Sequence, residues 1–144
     1  MERNEEVEEI KHKILLCVVV FIFVVAIGLI FVFNRFGYDN DAVLDAVYHK
    51  DSFVVFFRDD ASECPNCDMV LDTLNELGVS YYNFNIRSSS YSEILTKLNI
   101  NYEIKVPAIY VIEEGSVRFN ITNIQNKESV QSFVQSHDLV SFSN

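Results

Sequence analysis

The stretch FVVFFRDDASECPNCDMVLDTLNELG, Phe53 to Gly78, decides how this chain is read. Its first five residues, Phe53 to Phe57, form a compact apolar run of β-formers bounded by polar residues, the pattern of a strand buried in the middle of a sheet. Arg58 to Glu63 is a polar loop. Beyond it Met69, Val70, Leu71, Leu74 and Leu77 recur at helical spacing until Gly78 closes the element. Cys64 and Cys67, in the motif Cys64-Pro65-Asn66-Cys67, are therefore expected at the N-terminus of a helix that follows a central strand.

That position has chemical consequences. Cys64 would lie at the positive end of the helix dipole beside unsatisfied backbone N–H groups, which favours thiolate over thiol and makes it the nucleophile. Cys67, one turn inward, would resolve a mixed disulfide. Pro65 suits a first helical turn, where its missing N–H costs nothing, and Asn66 can at most donate a hydrogen bond toward sulfur. Asp59, Asp60, Glu63 and Asp68 surround the pair, with only Arg58 against them, so a modest lowering of the thiol pKa is expected. The same C-x-x-C spacing also serves half a zinc site or a plain structural disulfide. A zinc site needs further ligands; His12, His49 and His137 form no recognisable set and no second C-x-x-C exists, so no metal and no cofactor are expected.

Working outward, Asp39 to Tyr48 carries cap-forming residues followed by Val43, Leu44 and Val47, a short helix. Tyr81 to Ile86 alternates as a strand, and Ser90 to Leu98, with Ile94, Leu95 and Leu98, reads as a helix after a serine loop. Val106 to Ile112, a turn at Glu113 to Gly115, and Ser116 to Thr122 read as a β-hairpin. Lys127 to Ser136 is a last helix with Val130, Phe133 and Val134 on one face. The order α-βαβα-ββα contains the βαβ unit of a parallel strand pair. Asn120-Ile121-Thr122 is a glycosylation sequon best explained by chance.

The chain has 144 residues and 49% hydrophobic residues, an average over two unlike parts. Ile14 to Phe33 is twenty residues without a charge. As a helix it spans roughly 30 Å, a bilayer core. The run exceeds a usual signal-peptide core and no small-x-small site follows Phe33, so an uncleaved anchor is favoured over a cleaved signal. Arg3, Lys11 and Lys13 precede the run while Arg35 and Lys50 follow it, which predicts a cytoplasmic N-terminus and an extracytoplasmic domain where disulfides persist. Cys17, inside the run, reads as a small apolar residue rather than a palmitoylation site. The expected division is a tail at 1–13, an anchor at 14–33, a linker at 34–38 and one domain at 39–144. From Asn34 onward 16 acids face 8 bases, which opposes nucleic acid as a partner.

Phe53 to Cys67, the βα unit through Ile86, and Val106-Pro107 together resemble the thioredoxin and glutaredoxin superfamily, over about Asp39 to Gln135. Leu74 to Tyr81 is similar to the glutaredoxin segment that ends the first helix and enters the next strand; Lys105 to Pro107 resembles the family's cis-proline turn. The resemblance implies a thioredoxin-like α/β fold, a central mixed sheet of about four strands flanked by helices and preceded by a single transmembrane helix. It also implies a cis bond before Pro107, and a Val106 backbone able to pair with a substrate chain beside Cys64 and Cys67. The implied activity is that of a membrane-anchored thiol–disulfide oxidoreductase acting on protein thiols and disulfides, with an unidentified redox partner; a thioredoxin-like interaction module with a static disulfide is the alternative. The chain departs from the family where thioredoxin's tryptophan is replaced by Glu63 and its buried acid falls near Phe56. In layout the chain is similar to membrane-tethered thioredoxin-like proteins of Gram-positive bacteria, including bacteriocin transport accessory proteins.

Overall fold

The structure, a computed structural model, describes residues 2–36, 38–60 and 63–142, with side chains at 10–29, 38–60 and 63–142. Gly37 of the expected linker and Ala61 and Ser62 ahead of Cys64 lie outside the described residues, as do the side chains of Arg3 and Arg35 used for orientation. The chain divides into two units, Met1–Gly37 and Tyr38–Asn144.

The first unit is one helix, α1 (Glu2–Phe36), which continues through the expected tail and into the expected linker. Its most apolar stretch, Ile10–Leu29, has a mean hydropathy of 2.7 and none of it is buried. Length and composition suffice to cross a membrane, and equally fit a signal sequence.

The second unit holds α2 (Asn40–His49), β1 (Phe53–Arg58), α3 (Cys67–Glu76), β2 (Tyr82–Asn85), α4 (Tyr91–Lys97), β3 (Ala108–Glu113), β4 (Ser116–Ile121), α5 (Lys127–Ser136) and α6 (Leu139–Phe142). The sheet order is β2-β1-β3-β4. β1 runs parallel to β2 and antiparallel to β3, and β3 pairs antiparallel with β4. This is the expected mixed sheet of four strands flanked by helices. α6 was not expected from the sequence; at four residues it is too short to show a period, and it packs Leu139 and Phe142 onto the core.

Alternation along the strands divides the core in two. Val54 and Phe56 of β1 and Ile109 and Val111 of β3 pack with α3 and α5, together with both cysteines. Val55, Phe57, Ala108, Tyr110 and Ile112 pack with α2 and α4 on the other face. Covered on both sides, all six residues of β1 are buried. This explains why its sequence is a continuous apolar run and not an alternation.

Gly78 closes α3 as expected. It has φ of 70°, and a Schellman pattern joins the Gly78 N–H to Asn75 O (3.1 Å) and the Val79 N–H to Leu74 O (3.1 Å). A Cβ there meets nothing within 4 Å, so the only penalty of a side chain is the left-handed backbone. Gly78→Ala is expected to cost about 1 kcal/mol and Gly78→Asn less, read from urea midpoints of the full chain in detergent.

Candidate functional site

Parallel pairing of β1 with β2 brings the C-terminal ends of both strands to one end of the sheet, and β3, antiparallel to β1, begins there. Ala108 faces Phe57 in the ladder, so Pro107 lies at the level of Arg58. The chain leaving β1 enters the cysteine motif at this same end. The fold thus gathers the Cys64–Cys67 pair and the Val106–Pro107 turn, far apart in sequence, at one end of the sheet.

Cys64 and Cys67 form a disulfide with a Cα–Cα distance of 5.4 Å. Their placement on the helix differs from expectation. α3 begins at Cys67, with Asn66 as its cap, and Cys64 sits in the preceding turn, where its carbonyl accepts the Cys67 N–H at 3.1 Å. Cys67 is therefore the first helical residue and not one turn inward, and Pro65 precedes the helix. The Asp60 carbonyl takes the Cys64 N–H (3.1 Å), a loop bond that fixes Cys64 outside α3. The pair still straddles the N-terminal end of the helix, where the dipole favours an anion.

Burial separates the cysteines only slightly: Cys64 is 3% exposed and Cys67 not at all, while Pro65 between them is exposed. The Val106–Pro107 peptide bond is cis, the geometry the resemblance implied. On either side of Val106 the carbonyls are engaged by one loop: Asn123 N–H donates to Lys105 O (2.8 Å) and Ile124 N–H to Pro107 O (3.1 Å). Asn66 reaches the same loop. Its amide donates to Gln125 Oε1 at 3.3 Å and, more distantly, to Ile124 O at 3.5 Å. Gln125 is held in turn by Asn123 Oδ1 (2.8 Å). Asn66 therefore turns toward the loop that holds the cis-proline turn, tying the motif to that turn, where the sequence allowed it at most a hydrogen bond toward sulfur.

The acids around the motif are also not the bare field that the sequence suggested. Asp59 is buried and clasped by Arg87, which bonds it through Nε and through a second nitrogen at 3.1 Å. Asp60 lies 3.9 Å from the same Arg87 Nε and accepts from Asn85 (3.4 Å). Asp68 lies 3.5 Å from the guanidinium of Arg58, whose side chain is only 4% exposed. Arg87 is the residue the sequence reading missed. Part of the signal was present: in a parallel pair the segments just past β1 and just past β2 are neighbours, and Asp59 follows β1 by one residue while Arg87 follows β2 by two.

Hydrogen bonding from Arg87 holds the Asp59 carboxyl below the usual carboxylate range, helped by the Asp60 N–H and opposed by burial. A folded-state pKa below the unfolded value means that the pair stabilises the fold above the ordinary Asp range, and that this stability drains away as pH falls through the depressed value. Asp59→Asn is expected to lower stability at pH 7 by no more than about 1 kcal/mol, because Arg87 is half exposed, and the gap from the native chain should narrow below pH 4. Urea midpoints at pH 7 and pH 3 check this; a gap unchanged at pH 3 would contradict it.

Among the described residues no cluster of three or more His, Cys, Asp or Glu could hold a metal ion.

Residues 47–115 match the Glutaredoxin family model. Among solved structures, the chain is similar to thioredoxin O2 from Arabidopsis thaliana in its oxidized state, at 20% identity over 68% of this chain and 89% of that one, with a TM-score of 0.49. It is also similar to a mutant thioredoxin from Halobacterium salinarum, at 17% identity over 65% and 80%, with a TM-score of 0.43. A third is thioredoxin 1 from the thermophilic eubacterium Thermosipho africanus, at 9% identity over 61% and 97%, with a TM-score of 0.41. No curated protein matches the chain significantly.

Proposed function

From a thioredoxin/glutaredoxin-like domain, matched over residues 47–115, that carries a cysteine pair at disulfide distance, we propose that the chain is a membrane-anchored thiol–disulfide oxidoreductase acting on exported or membrane proteins. The observation that carries this reading is the juxtaposition of the Cys64–Cys67 disulfide, at the start of α3, with the Val106–Pro107 turn at the same end of the sheet. In exchange, the thiolate of one chain attacks one sulfur of the other's disulfide, a mixed disulfide forms, and the second thiol of the pair displaces the partner. Cys64, outside the helix and less buried, is the sulfur that meets the partner; Cys67, fully buried at the first helical position, is the resolving one. Val106 stands between two carbonyls already taken by the 123–124 loop, which leaves its own backbone to pair with an extended substrate. The helix at 14–33 anchors the domain, with the N-terminus cytoplasmic.

The near-complete burial of both cysteines favours a second reading, a thioredoxin-like interaction module stapled by an inert disulfide. A reduction potential below roughly −300 mV would support the staple and a higher one the exchanger.

The test is mixed-disulfide trapping. A Cys67→Ser variant in intact cells should accumulate covalent adducts on Cys64 that dithiothreitol releases, and a variant lacking both cysteines should not. Absence of adducts from the Cys67→Ser variant, in a chain that still folds, would overturn the exchanger.

A further inference from the structure

Arg58 is the buried cation among the described residues of this domain. It is the last residue of β1, 3% exposed, and two positions beyond Phe56 on the strand face that packs against α3 and both cysteines. One terminal nitrogen lies 3.5 Å from Asp68 Oδ1, on the residue that directly follows Cys67 in the first turn of α3. The buried Nε has no hydrogen-bond partner among the described residues. The guanidinium also stands 5.8 Å from the centre of the Tyr38 ring. A buried guanidinium held by one long ion pair to a carboxylate that is itself 63% exposed is poorly compensated, and an uncompensated buried charge is costly.

What would compensate it is an anion at the start of α3, and reduction of the disulfide creates one. Two electrons and two protons convert the disulfide to two thiols; loss of one proton then leaves a monoanion shared between Cys64 and Cys67. The oxidised pair is neutral, so a cation on this face has no preference for it. It favours the reduced monoanion. We propose that Arg58 is a positioning residue for the dithiol: its buried charge, set against Asp68, lowers the first apparent pKa of the Cys64/Cys67 pair and biases the pair toward its reduced form. This rests on the exchange reading above.

The other charged or titratable groups around the guanidinium act on it from several elements. Asp68 attracts it from α3. Tyr81, ahead of β2, feels its field together with those of Asp39 and Asp72, though burial holds the Tyr81 hydroxyl up at about 12, where it stays neutral. On the loop side Asp59 is committed to Arg87, while Asp60 and Glu63 are exposed to solvent, where screening weakens them. Asp68 is thus the group that competes with the dithiol for Arg58.

The competition provides a test with opposite signs. In the full chain in detergent, reduced with dithiothreitol, the thiolate absorbance near 240 nm is titrated for the native chain, Arg58→Met, Arg58→Lys and Asp68→Asn. Arg58→Met should cut the thiolate fraction at a fixed pH below the pKa by about tenfold, Asp68→Asn should raise it, and Arg58→Lys should stay close to native. At a pH above the first apparent pKa of both chains, the equilibrium constant against dithiothreitol should move about tenfold toward the disulfide in Arg58→Met, a fall in potential of about 30 mV. Damage to packing would not move Arg58→Met and Asp68→Asn in opposite directions. Unchanged thiolate titrations in both, or shifts in the same direction, would overturn the proposal and leave the exchange reading standing. If Arg58→Met does not fold, Asp68→Asn, at an exposed site, decides alone: no rise in thiolate overturns the proposal. A folded native chain whose disulfide dithiothreitol cannot open would instead overturn the exchange reading itself.

Discussion

Cys64→Ala should abolish exchange with a model protein disulfide, reducing it to the uncatalysed background, with the fold intact by circular dichroism. Removing Cys64 takes away the only sulfur of the pair outside α3, and Cys67, fully buried at the first helical position, cannot substitute for it. The variant also loses the disulfide. That link closes a loop of four residues, worth roughly 2 kcal/mol in the chain-entropy account. The proper reference is therefore the reduced native chain, compared at a temperature well below both unfolding transitions. Exchange that persists at the native rate in Cys64→Ala would show that the pair is a staple.

The second large effect lies on the opposite face of the sheet. Phe57 is fully buried in the central strand, with Phe84 and Tyr110 packed edge-on at centroid distances of 5.4 and 5.3 Å. Phe57→Ala removes that ring from a site enclosed by α2, α4 and two neighbouring strands, which cannot close the gap without moving the sheet. The expected loss is about 3–5 kcal/mol, a large part of the roughly 5–15 kcal/mol that holds a domain folded. Phe57→Leu should lose much less because most of the volume is kept. Urea unfolding followed by tyrosine fluorescence, suited to a chain with seven tyrosines and no tryptophan, measures both. Phe57 belongs to the cluster on the far side of the sheet from the cysteines. The folded fraction of Phe57→Leu should therefore keep native thiol reactivity, which separates stability from chemistry.

Much of this molecule was legible from local pattern alone. The unbroken run Phe53–Phe57 identified a strand buried on both faces, the helical spacing from Met69 to Leu77 ended at Gly78 as expected, and Gly115 marked the hairpin turn, where it has φ of 75°. Each of these depends on the backbone preference or burial of neighbouring residues, and so is written in consecutive letters. The motif Cys64-Pro65-Asn66-Cys67 was equally visible. Its seat on the helix was not: whether Cys64 joins α3 depends on where its N–H goes, and the Asp60 carbonyl takes it.

The rest was decided where distant segments meet. The sequence counted Asp59, Asp60, Glu63 and Asp68 as a field opposing a thiolate, with Arg58 as a lone counterweight. Tertiary structure buries Arg58 at the end of β1 with Asp68 as its ion-pair partner, gives Asp59 to Arg87 and turns Asn66 toward Gln125. Secondary structure follows from propensity and periodicity, which are properties of a short window. The charge around the dithiol follows from Coulomb interactions and burial between groups up to 28 residues apart in the chain, and only the packed sheet and its helices set those distances. The sequence by itself thus determined which cysteines can pair, and the fold decided which charges they meet.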